Sequence, residues 1–83
     1  MAELLNQKNK PIKRLEVEFV WFPEIGKPTT FSLKSTNDVI QTSLVENIHC
    51  AGPNWVQFET AHSIYNLHGQ ILRHAVSNKE VRI

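Results

Sequence analysis

The chain has 83 residues and a mass of 9.6 kDa, with nine basic against eight acidic side chains, 41% hydrophobic residues, two tryptophans and one cysteine. A domain of this size hides only about 60% of the surface its unfolded chain would expose, which leaves little room for a deep catalytic cleft. The net charge of +1 is far from the basic excess that phosphate-backbone binding leaves in a composition, so whole-chain electrostatics names no partner.

The opening Met1-Ala2-Glu3 has no basic segment followed by an apolar core, so it does not read as a secretory signal. The longest apolar run, Phe19-Val20-Trp21-Phe22, falls far short of the roughly 20 residues a membrane-spanning helix needs. Cys50 stands alone, and a small domain in an oxidising compartment is normally stapled by several disulfides; a reducing cytoplasm is therefore expected.

Residues 1–11 are polar and end at Pro11, which disfavours helix at Lys10, so a flexible arm is expected there. From Arg14 the pattern alternates strictly. Leu15, Val17, Phe19 and Trp21 take one side and Arg14, Glu16 and Glu18 the other, which predicts a strand over 15–21. Val20 and Phe22 break the polar side near its end, placing an apolar pair on the outer face. Residues 23–28 hold two prolines and Gly26 and predict a turn. Residues 29–35 alternate again, with Phe31 and Leu33 inward.

Residues 36–50 are ambiguous. Thr36 or Asn37 would cap a helix carrying Val39, Ile40, Leu44 and Ile48 on one face. The many β-branched residues (Thr36, Val39, Ile40, Thr42, Val45, Ile48) favour two short strands or one bent strand instead. After a turn at 51–54, strands are predicted over 55–60 and 63–67. His68-Gly69 reads as a tight hairpin leading into a last strand over 71–76, and Val81 and Ile83 would extend the polar tail as an edge strand. Five to six short strands predict an all-β or mostly β fold, a small antiparallel barrel or sandwich formed by residues 12–83 as one domain. The alternative is α+β, an antiparallel sheet with one helix near 37–48.

The chemistry-bearing residues form no recognisable catalytic or metal pattern. Among Cys50, His49, His62, His68 and His74 no pair has the close spacing of a tetrahedral zinc site, although His74 would lie across the predicted hairpin from His62. Alternation puts His49 and Cys50 on opposite faces, so His49 is badly placed to activate the thiol. Ser63 lies in no Gly-x-Ser-x-Gly context, and the glycines at 26, 52 and 69 make no phosphate loop. Glu16 and Glu18 read as the solvated side of a strand. No enzymatic activity, metal or cofactor is expected.

Two binding readings remain. The first is protein association, including self-association as a homodimer, through Val20, Trp21 and Phe22, because apolar side chains on both faces of one strand exceed what a small core can bury. The alternative is a nucleic-acid-binding small barrel. In that reading Lys8, Lys10, Lys13, Arg14 and Arg73 contact phosphates while Trp55 and Tyr65 stack on bases. Glu16, Glu18 and Glu59 on the same strands weigh against it.

Overall fold

The computed structural model describes residues 10–73, and these form five strands: β1 (Ile12–Trp21), β2 (Pro28–Leu33), β3 (Val39–Gly52), β4 (Trp55–Thr60) and β5 (Ile64–Leu72). They close into a barrel in the order β1-β2-β3-β4-β5, with no helix among the described residues, as the all-β reading expects. Four junctions join consecutive antiparallel strands, so direction alternates and the fifth strand runs the same way as the first. The seam between β1 and β5 is accordingly parallel, with Leu15 opposite Leu67 and Val20 opposite Ile71.

A single core fills the barrel. Val17, Val20, Phe31, Val45, Val56, Phe58 and Leu67 are buried, with Leu15, Phe22, Leu33, Ile40, Ile48, Tyr65 and Ile71 packed around them. Each fully buried large side chain stabilises by about 1.5–3 kcal/mol relative to exposure. The Tyr65 ring stacks on Phe58 at 5.2 Å and tilts against Phe31 at 6.0 Å, so it belongs to this core.

The alternation of β1 reverses part-way along. Val17 pairs with Leu33 and Phe19 with Ser32, while Glu16 pairs with His68 and Phe19 with Gln70. Both neighbours thus see one extra residue between Val17 and Phe19, a β-bulge, which moves the inward set from odd to even positions. Leu15 and Val17 face inward as expected, but beyond the bulge Val20 and Phe22 turn to the core while Phe19 and Trp21 are half-buried outside it. The apolar pair expected outside at Val20 and Phe22 is therefore absent from the outer face, and Val20, fully buried, is unavailable to a partner.

β3 is the bent strand, not a helix. It pairs with β2 over Val39–Leu44 and with β4 over Val45–Gly52, and carries an extra residue against β2 and two against β4. The turn before it uses Asn37 at φ 63°, a conformation asparagine tolerates, and the Asp38 amide donates to Thr36 Oγ1. Those polar residues make a turn rather than a helix cap.

β5 runs through His68-Gly69 without the predicted hairpin. A Cβ at Gly69 would come within 2.0 Å of the Val17 carbonyl oxygen, so this glycine serves the close approach of β1 at its bulge and not a turn. The last two residues of the expected arm are fastened: the Ile64 amide donates to the Pro11 carbonyl at 2.9 Å, and Lys10 is buried. Residues 1–9, the end of the predicted 71–76 strand and the 77–83 tail lie outside the described residues.

Candidate functional site

The segment joining β1 to β2 folds back onto β3. The Gly26 amide donates to the Val45 carbonyl at 2.8 Å and the Val45 amide to the Lys27 carbonyl at 2.9 Å. Gly26 takes φ 86°, which glycine adopts without penalty, and fully buried Pro23 pins the start of the segment. The fold-back leaves an open groove of about 510 Å³ lined by Trp21, Phe22, Glu24, Lys27, Pro28, Thr29 and Thr30. The Arg73 guanidinium lies 4.2 Å from the Phe22 ring centroid, and Lys27 Nζ pairs with Glu24 Oε1 at 3.1 Å on the rim.

Two features set this groove apart. Beside it stand exposed apolar side chains: Leu44, 57% exposed, faces Pro28 across β2 and β3, and Ile25, 59% exposed, bridges to Val45. Within it, Thr29 is only 2% exposed, and its Oγ1 has no hydrogen-bond partner. The Thr29 amide donates to Thr42 Oγ1 at 3.0 Å, and the Thr42 hydroxyl donates to the Ser43 carbonyl. Leaving a buried hydroxyl unpaired costs about 1–3 kcal/mol.

A second assembly crosses the outer face of β3, β4 and β5. Gln57 Nε2 donates to His49 Nδ1 at 2.9 Å, so the ring proton sits on Nε2 and is donated to Glu59 Oε1 at 3.0 Å. Asn66 Nδ2 donates to Gln57 Oε1 at 2.8 Å, and His68 Nε2 donates to Asn66 Oδ1. Every donor in this ladder thus points towards Glu59, whose other oxygen accepts from Lys10. Lys10, 7% exposed, also donates to Glu46 at 3.3 Å and to the Thr60 carbonyl at 2.8 Å. The Glu59 hydrogen bond, with help from Glu46, raises the Lys10 ammonium above its ordinary 10.5 against the opposing effect of burial. Trp55 closes the ladder, its ring near-parallel to His68 at 6.2 Å and filling the space a Cβ on Gly52 would take.

These placements separate the residues expected to bind nucleic acid. Lys8 is outside the described residues, Lys10 is committed to internal carboxylates, and Tyr65 is a core ring. Lys13 and Arg14 are exposed, with Lys13 Nζ 5.6 Å from the Tyr65 centroid. Arg73 follows Leu72, the partner of Trp21, whereas Lys13 pairs with Tyr65; seven to eight residues of strand, about 25 Å, separate the two ends. Half-buried Trp55 stacks on His68, three positions along β4 from Phe58, the partner of Tyr65.

The imidazoles are likewise dispersed. His49 and His68 sit in the ladder, His62 is exposed, and His74 is outside the described residues, so the expected opposition of His62 and His74 has no hairpin behind it. Among the described residues, no three His, Cys, Asp or Glu side chains gather where they would hold a metal ion. A bulge at His49 places exposed Cys50 opposite Gln57, towards which His49 also points, so strict alternation does not separate that pair.

Thr29, Glu24, Lys27, Ile25 and Leu44 were not legible as a site, since a turn segment and isolated strand residues carry no spacing signal. The fold and this groove define a closed five-stranded β-barrel domain with a surface cleft at its β1–β2 corner. No protein-family model, curated protein or solved structure matches the chain. No helix among the described residues is long and apolar enough to cross a membrane.

Proposed function

We propose that this chain is a non-enzymatic association domain that pairs with a second copy of itself through the β1–β2 corner. The observation that carries this reading is the apolar shoulder of Ile25, Pro28 and Leu44 beside the Trp21–Phe22 groove. A two-fold contact requires one surface to fit itself, and this corner holds both apolar projections and a cleft. It also carries Glu24 and Lys27 side by side, charges that exchange partners across a two-fold axis. Of the residues first expected at the interface, Trp21 and Phe22 line this corner and Val20 lies beneath it.

Every strand pairs with two others, so side-chain contact rather than strand addition is the mode. Burying Ile25 and Leu44 from both copies contributes about 4–8 kcal/mol, since each begins only partly exposed. Association costs of similar size offset most of this gain, so the dimer is weak. Sedimentation velocity across micromolar to millimolar concentration tests the reading. Mass should rise with concentration for the native chain and stay monomeric for Leu44→Lys, which removes no core contact; a native chain that stays monomeric throughout overturns it.

A further inference from the structure

The outer-face ladder has a direction, and the imidazoles at its two ends set it. His49 Nδ1 accepts from Gln57 Nε2 at 2.9 Å, so an uncharged His49 carries its proton on Nε2 and donates it to Glu59 Oε1 at 3.0 Å. Gln57 Oε1 accepts from Asn66 Nδ2 at 2.8 Å, and Asn66 Oδ1 accepts from His68 Nε2. Each amide shows its nitrogen to one neighbour and its oxygen to the other, so Gln57 and Asn66 keep both bonds only by turning together.

A second proton on His49 would make Nδ1 a donor facing the Gln57 NH2 group. Gln57 must then turn its oxygen to His49, and Asn66 its oxygen to Gln57. That brings the Asn66 NH2 group to His68 Nε2, which accepts only when it carries no proton. A charged His68 has protons on both nitrogens and requires the original direction, with Asn66 Oδ1 towards it. Each direction therefore suits a charge at one end alone, and charging both rings leaves two donors face to face.

We infer that this ladder is a pH-sensitive device that makes the charging of His49 and of His68 mutually antagonistic, so that the face takes up one added proton readily and a second one poorly. Histidine changes charge between about pH 5 and 8, so the device operates in that range. Facing His49 are Glu59 on β4, with Lys10 and Glu46 bound about it, and Cys50 beside it on β3. Trp55 on β4 stacks on His68, and from β1 Glu16 lies opposite His68 and Arg14 opposite Asn66. The fields of these groups act on the rings with or without the amides, so cutting the ladder separates its effect from theirs. The face lies on β3, β4 and β5, away from the Trp21–Phe22 groove, and the inference does not depend on self-association.

The test is a nitrogen-15 nuclear magnetic resonance titration of both imidazoles between about pH 8 and about pH 4.5. Gln57→Leu and Asn66→Leu each remove one rung and leave both rings, Glu59 and Lys10 in place; both residues are half-buried outside the core. At the alkaline end both native rings should carry their proton on Nε2. The second ring to charge should need about tenfold higher acidity in the native chain than in either variant, the factor that one lost hydrogen bond to a charged group supplies. A native ring with its proton on Nδ1 at the alkaline end overturns the inference. So does a second step at the same acidity in the native chain and both variants, which would assign the spacing of the two steps to the charges alone.

Discussion

Gly69 and Val17 are packed backbone to backbone: a Cβ placed on Gly69 would lie 2.0 Å from the Val17 carbonyl oxygen and 2.7 Å from Val17 Cγ2. The contact falls where β1 carries its extra residue, so the parallel seam depends on a glycine opposite the bulge. Gly69→Ala should destabilise by about 3 kcal/mol, because backbone must move to admit the methyl group. Gly26→Ala meets nothing within 4 Å and should cost only about 1 kcal/mol, for its left-handed φ. Urea unfolding with an unchanged slope measures both, and equal costs would mean that the seam yields easily.

Lys10 ties the start of the barrel to Glu46, Glu59 and Thr60. Its folded-state affinity for the proton is raised above the ordinary 10.5, chiefly by the Glu59 hydrogen bond. A raised value means that the folded state holds this proton more tightly than the unfolded chain does. Its contribution is therefore complete below about pH 10.5 and is lost as pH climbs through the folded value. Lys10→Met should lower the melting temperature at pH 8 and flatten the alkaline fall in stability. Melts between pH 8 and 11 check this, and an equally steep alkaline fall in the variant would assign it to other groups.

The outer-face ladder should behave as one unit. Asn66 joins Gln57 to His68, and Gln57 joins Asn66 to His49. Single Ala substitutions at Asn66 and Gln57 should each cost about 1 kcal/mol, and the double variant less than their sum by about 0.5–1.5 kcal/mol. Strict additivity in a double-mutant cycle would show that these side chains are adjacent without being coupled.

Alternation made β1 up to its bulge, β2 and β4 legible because Leu15, Phe31, Val56 and Phe58 are inward residues in stretches that alternate regularly. What the sequence hid was the bulges. One extra residue in β1 exchanged the faces of Val20 and Trp21, and two of the three in β3 spaced the inward residues Thr42, Val45 and Ile48 three apart, so that no strict alternation marked this strand. Gly69 was read as a turn because a glycine required by a neighbouring backbone looks the same in one dimension as a glycine required by its own φ. Lys10 looked like a phosphate contact because its carboxylate partners lie 36 and 49 residues away. The groove needed the fold-back of 22–27 onto Val45, a contact no local pattern announces.

The most direct test of the proposed contact surface is a dilution series of methyl resonances. Ile12, Ile25, Val39 and Leu44 are the exposed large hydrophobic residues among those described, and only Ile25 and Leu44 stand beside the groove. On dilution from millimolar to about ten micromolar, the Ile25 and Leu44 methyl signals should move together along one binding curve while those of Ile12 and Val39 stay fixed. Signals that move at Ile12 or Val39 with Ile25 and Leu44 stationary, or none that move at all, would contradict association through the β1–β2 corner.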